Sequence, residues 1–104
     1  MPAVARANGV DSVFSPNGTG KRCAHPMNIS TGQAHQQKVF IEGVPAASST
    51  DLVMPHPFAG CGPDEQTLDK VSSKVFVAGG GIGRIGDMYG DNVITSGSSK
   101  VFAA

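Results

Sequence analysis

Short apolar pairs recur along this chain, each set in polar residues and each running into glycine or another small residue. Lys38-Val39-Phe40-Ile41-Glu42-Gly43 is echoed by Ser73-Lys74-Val75-Phe76-Val77-Ala78-Gly79, and again by Ser99-Lys100-Val101-Phe102-Ala103. A degenerate copy, Ser12-Val13-Phe14, lies near the start. The three Lys-Val-Phe copies begin 36 and then 26 residues apart (38 to 74, 74 to 100), too irregular for a solenoid yet too alike for coincidence. A β-branched residue next to an aromatic, followed by Gly, predicts a short strand ending in a turn at each copy.

A second element follows these turns. It reads Val44-Pro45-Ala46-Ala47-Ser48 through Asp51, and Ile82-Gly83-Arg84-Ile85-Gly86-Asp87, with Pro2-Ala3-Val4-Ala5-Arg6 through Asp11 as a third version. No window keeps a 3.6-residue apolar period, because Gly and Pro interrupt each candidate. The best helical stretch, Asp64 to Val71, allows one or two turns at most. The pattern therefore predicts an all-β protein of short strands with long inserted loops.

Composition sharpens this picture. The 104 residues fit one small domain spanning 1–104. With 14 Gly, 7 Pro, no Trp and 39% hydrophobic residues, its core is small enough to need a staple such as a metal, a disulfide or a partner surface. Eight basic residues balance eight acidic ones, so no net charge steers the chain to nucleic acid or an anionic membrane. No apolar run approaches the roughly 20 residues of a membrane helix, and the N-terminus lacks a signal-peptide pattern, which predicts synthesis in the cytoplasm.

Candidate chemistry is confined to five side chains: Cys23, His25, His35, His56 and Cys61. They lie in or beside two loops that each precede a Val-Phe strand. His25 and Cys61 both stand 14 residues before the Val of that strand (25 to 39, 61 to 75). A structural zinc site is tetrahedral and closed, and Cys23, His25, His56 and Cys61 would satisfy it; a three-His, one-Cys set recruiting His35 is the rival. As plain residues, the cysteines would be small buried apolar groups and the histidines ordinary loop residues. In an oxidising compartment a Cys23–Cys61 bridge would be expected. A Cys–His nucleophile lacks any group to orient the base or shape a pocket, so no catalytic residue is assigned. Gly81-Ile82-Gly83-Arg84-Ile85-Gly86 fits a dinucleotide fingerprint, but a turn sequence rather than a helix follows, and the glycines suit a tight turn. Lys38, Lys74 and Lys100 share one phase of the pattern, as edge charges or as interface groups.

The order Val-Phe strand, Pro-Ala-Ala-Arg-like turn, Gly-Asp, Cys/His loop and Gly-Ser-x-x-Val resembles the PAAR-repeat proteins. The likeness spans residues 1–104 and is best over Ser72 to Ala104. It departs at Ser48 and Ser49, where Arg and its neighbour would stand, and at Met88-Tyr89-Gly90-Asp91-Asn92, which lacks a Cys. The resemblance implies a small cone of short strands with pseudo-threefold repeats and a metal site near the apex. Zinc is the expected ion and iron the alternative. It further implies a non-enzymatic tip that caps the trimeric β-helical spike of a phage tail or type VI secretion machine, one monomer per trimer. Such a tip would meet the target membrane only transiently. A small metal-binding β-rich adaptor of the cell interior is the alternative, and a small hydrolase the third reading.

Overall fold

The computed structural model of the chain describes residues 1–16, 26–53 and 66–104. Among these the protein is all-β, and its strands are antiparallel. Five strands make the main sheet: β1 (Ser12–Ser15), β2 (Met27–Ser30), β5 (Leu68–Lys70), β8 (Met88–Tyr89) and β9 (Asn92–Ile94), in the order β2-β1-β9-β8-β5. Two hairpins stand apart from it. One joins β3 (Phe40–Ile41) to β4 (Val44–Pro45), the other β6 (Phe76–Val77) to β7 (Gly80–Gly81).

The Val-Phe copies form strands as expected at β1, β3 and β6, while Phe102 pairs with Ala3 in an isolated bridge. Over the described residues 66–71 of the Asp64-to-Val71 stretch no helix forms. Over its described part Leu68–Lys70 is strand β5, with Leu68 opposite Tyr89. Burial of Leu68 in a sheet outweighs a weak local helical preference. Strands β8 and β9 and the Gly90 turn between them occupy the place where a nucleotide-binding helix would have to open.

Strand polarity orders the molecule. β1 runs toward Pro16, so antiparallel β9 begins at that end, β8 finishes there in the Gly90-Asp91 turn, and β5 begins there. Thr67 bridges Leu52, and Val53 donates its N–H to the Gln66 carbonyl. Pro16, Pro26, Val53 and Gln66 therefore stand at one end of the sheet, beside the Gly90 turn, whose Asp91 N–H is held by Gln66 Oε1 at 2.8 Å. From the other end the chain passes to the hairpins and the Pro-Ala-Ala-Arg-like turns.

Those turns meet in a closed ring of backbone bonds. Ala5 donates to Gly83 (2.9 Å), Gly83 to Ala47 (2.8 Å) and Ala47 to Ala5 (3.0 Å). Only small residues allow three backbones to approach this closely: a Cβ on Gly83 would sit 3.0 Å from Leu68 Cδ2 and 3.3 Å from Ala47 Cβ. Each turn also bonds back to a Val-Phe strand, through Ala46 to Val39, Ile82 to Val75 and Val4 to Val101. Two residues ahead of each lysine, a side-chain oxygen accepts both N–H groups of the Lys-Val pair: Gln36 for Lys38 and Val39, Ser72 for Lys74 and Val75, Ser98 for Lys100 and Val101.

Two apolar clusters result. One fills the hairpin end with Val4, Ala46 and Ile82 and with Ile41, Val77 and Ala103, flanked by Val39, Val75 and Val101. The other lies against the main sheet and holds Val13, Leu68, Tyr89 and Ile94 with several alanines. Burial pushes the Tyr89 phenol well above its usual pKa, aided by the nearby Asp51 charge and opposed by the Gly32 N–H that its hydroxyl accepts at 3.3 Å. It is a neutral core group.

Candidate functional site

Each Pro-Ala-Ala-Arg-like turn closes on a buried aspartate. Asp11, Asp51 and Asp87 are each at most 2% exposed, and each accepts the backbone N–H at the arginine position: Arg6 (2.6 Å), Ser48 (3.1 Å) and Arg84 (2.9 Å). Two of them are also gripped by the guanidinium of that residue. Arg6 Nε and Nη2 reach Asp11 Oδ2 and Oδ1 at 3.0 Å each, and Arg84 reaches Asp87 the same way at 2.9 and 3.0 Å. A planar fork on a carboxylate fixes geometry as well as charge. Burial alone would push the Asp11 carboxyl up, but the side chain and backbone of Arg6, with the Ser96 hydroxyl at 2.8 Å, outweigh it and hold the group below its usual range.

The middle turn has Ser48 where the others have arginine, and another segment supplies the missing partner. His35 gives Asp51 Oδ1 both its backbone N–H, at 3.1 Å, and its ring Nδ1, at 2.5 Å. A carboxylate can only accept, so Nδ1 carries a proton. The His35 side chain is 39% exposed whereas that of Asp51 is fully buried. Beside the pair opens a cavity of about 340 Å³ lined by Gln33, Ala34, His35, Thr50, Leu52 and Val53. Thr50 holds φ +76°, a left-handed conformation that a β-branched residue rarely takes; in the Arg84 turn the residue before the aspartate is Gly86, at φ +91°. The Ser48 hydroxyl is buried without a hydrogen-bond partner among the described residues.

Of the five sequence candidates, the structure thus places His35, on Asp51. Cys23, His25, His56 and Cys61 lie outside the described residues. The described residues flanking both stretches, Pro16 with Pro26 and Val53 with Gln66, emerge at the same end of the main sheet. Among the described residues no group of three or more His, Cys, Asp and Glu is arranged to hold a metal. The three aspartates carry the site's geometry, yet sequence reading used them only as markers of repetition. The available signal was an aspartate three residues after Ser48 and Arg84 and five after Arg6.

At the hairpin end, Phe40, Phe76 and Phe102 are 51%, 61% and 49% exposed, each beside a buried neighbour, Ile41, Val77 or Ala103. No protein-family model matches the chain, and no curated protein sequence matches it.

Proposed function

We propose that the chain is a non-enzymatic tip of PAAR-repeat type, a monomer that caps the trimeric β-helical spike of a contractile injection machine. The reading rests first on the ring of bonds through Ala5, Ala47 and Gly83. Around it, one chain sets three turns, three buried aspartates and three Val-Phe edges in matching hydrogen-bonded positions. A pseudo-threefold monomer of this kind is suited to the end of a true trimer, since closed assemblies match symmetry to symmetry. The opposite end, where the stems of both Cys/His stretches emerge, is the natural apex.

The donor chemistry there fits a structural metal. Cys23, His25, His56 and Cys61 form a mixed N/S set that suits zinc, with iron as the alternative. His35 is the rival member. Its Nδ1–H is fixed by a buried carboxylate, the outer contact that commonly orients a ligating imidazole and leaves Nε2 free. A bound ion would cross-link the two Cys/His stretches, and the chain's own part would be to supply deprotonated ligands.

The deciding experiment combines elemental analysis of chelator-free protein with native mass spectrometry of the chain mixed with its spike protein. One metal per chain and one chain per three spike subunits support the tip. Three chains per trimer, or a stable homotrimer of this chain alone, would favour the metal-binding adaptor of the cell interior instead.

A further inference from the structure

Singly scattered surface hydrophobics need no explanation. Three phenylalanines at the same phase of three matching edges do. Phe40, Phe76 and Phe102 follow the inward-leaning Val39, Val75 and Val101 and precede the buried Ile41, Val77 and Ala103. Alternation along an extended strand therefore turns each ring away from the core. Lys38, Lys74 and Lys100 stand at the bend two residues before each phenylalanine, and all three are exposed. Among the described residues none of the three lysines forms an ion pair. Each edge thus offers one half-exposed aromatic and one uncommitted cation.

Resting on the cap reading above, we propose that these edges are three equal docking points, and that each subunit of a threefold partner offers an apolar socket beside a carboxylate. The triplication selects the occupant. An asymmetric partner could engage one edge and would leave two exposed aromatics without use, whereas a trimer meets all three with one repeated contact. Aromatic side chains are typical interface anchors, and flanking cations speed and orient the encounter rather than carry the affinity.

The test uses a separately purified β-helical spike trimer, the partner of the proposed cap. Phe40→Ala, Phe76→Ala and Phe102→Ala should each weaken binding by about tenfold, to similar extents, and the triple variant should lose the one-to-three complex. Half-exposed positions permit these changes with little loss of melting temperature. Replacing all three lysines by Gln, which cannot harm the core, should slow association and flatten its salt dependence. If the unaltered chain forms the complex and the triple phenylalanine variant binds within threefold of it, the docking points are wrong and the cap reading stands. If the unaltered chain forms no complex with the trimer, the cap reading itself falls. If the phenylalanine changes abolish only binding to phosphatidylglycerol/phosphatidylethanolamine vesicles, the edges face lipid and the proposal is overturned.

Discussion

Replacing His35 tests how the middle turn balances its buried charge. In the other two turns the aspartate is held by an arginine fork, and at Asp51 the ring Nδ1 of His35 takes that place. His35→Ala keeps the backbone N–H at 3.1 Å and the Ser48 N–H, but removes the ring contact to a fully buried carboxylate. Truncating one partner of a buried charge pair costs about 3–5 kcal/mol. Here the histidine is 39% exposed, so water can reach the vacated position, and a single charge-assisted bond of about 1.5–3 kcal/mol sets the scale. The expected loss is about 2 kcal/mol, or roughly 8–16 °C in melting temperature for a small domain. The informative partner is Ser48→Arg, which restores the fork present at Arg6 and Arg84. Beside His35 it should be neutral or harmful, because two donors then compete for one carboxylate. In the His35→Ala background it should recover most of the loss. Urea melts of the four proteins, metal-loaded and after chelation, give the coupling energy. Equal effects of Ser48→Arg in both backgrounds would refute the surrogate-donor account. Loss of metal from His35→Ala without rescue would instead assign the imidazole to the ion.

Other outcomes follow from single contacts. Ala78, at φ +50°, starts the Ala78-Gly79 turn in the left-handed region, so Ala78→Asn should stabilise by about 1 kcal/mol in a denaturant melt; Thr50→Gly should do likewise. Gly83→Val forces a branched side chain against Leu68 and Ala47 at the bonded ring, and should cost about 2–3 kcal/mol, read as a lower melting temperature. Because Asp11 titrates below its ordinary value when folded, its contribution is complete above the unfolded carboxyl value of about 3.9 and is lost as pH falls through the lower folded value. Asp11→Asn should therefore flatten the acid limb of a stability–pH curve. Removing the metal, or His56→Ala, should lower thermal stability sharply, since structural zinc contributes on the order of 10 kcal/mol in small domains; unchanged melting after verified removal would reduce the ion to an ornament.

The strand content was legible because Val-Phe followed by Gly is a local signal: β3 and β6 fall where that pattern places them. β5 was not, since the preference of Leu68-Asp69-Lys70 for a strand comes from Tyr89 and Met88 across the sheet, 18 or more residues away. The pairing of Ala3 with Phe102 was equally hidden, because it joins opposite ends of the chain. For the candidate site, sequence held His35 only as an alternative fourth ligand and carried no information on Asp51, 16 residues on, whose buried carboxylate fixes the ring. In sequence the departure at Ser48 is a weakness of the repeat. In three dimensions it is the gap that a histidine from another segment fills.

That substitution bears on how three similar turns of one chain come to differ. A true trimer repeats every contact three times, so a change at one position is imposed on all three. Here the ring through Ala5, Ala47 and Gly83, where backbones are closest, keeps nearly the same small residues at every turn. Variation is instead placed farther out: arginine forks at Asp11 and Asp87, and an imidazole beside a cavity at Asp51. The axis is where an extra methyl group meets neighbours within about 3 Å, so sterics hold it uniform, and the periphery is where a single copy can diverge at small cost. The divergent turn is also the one that continues, through Leu52 and Val53, into the stretch bearing His56 and Cys61. Three similar turns within one chain can therefore keep matching edges at one end while a single turn is specialised, a division that three copies of one identical turn could not make.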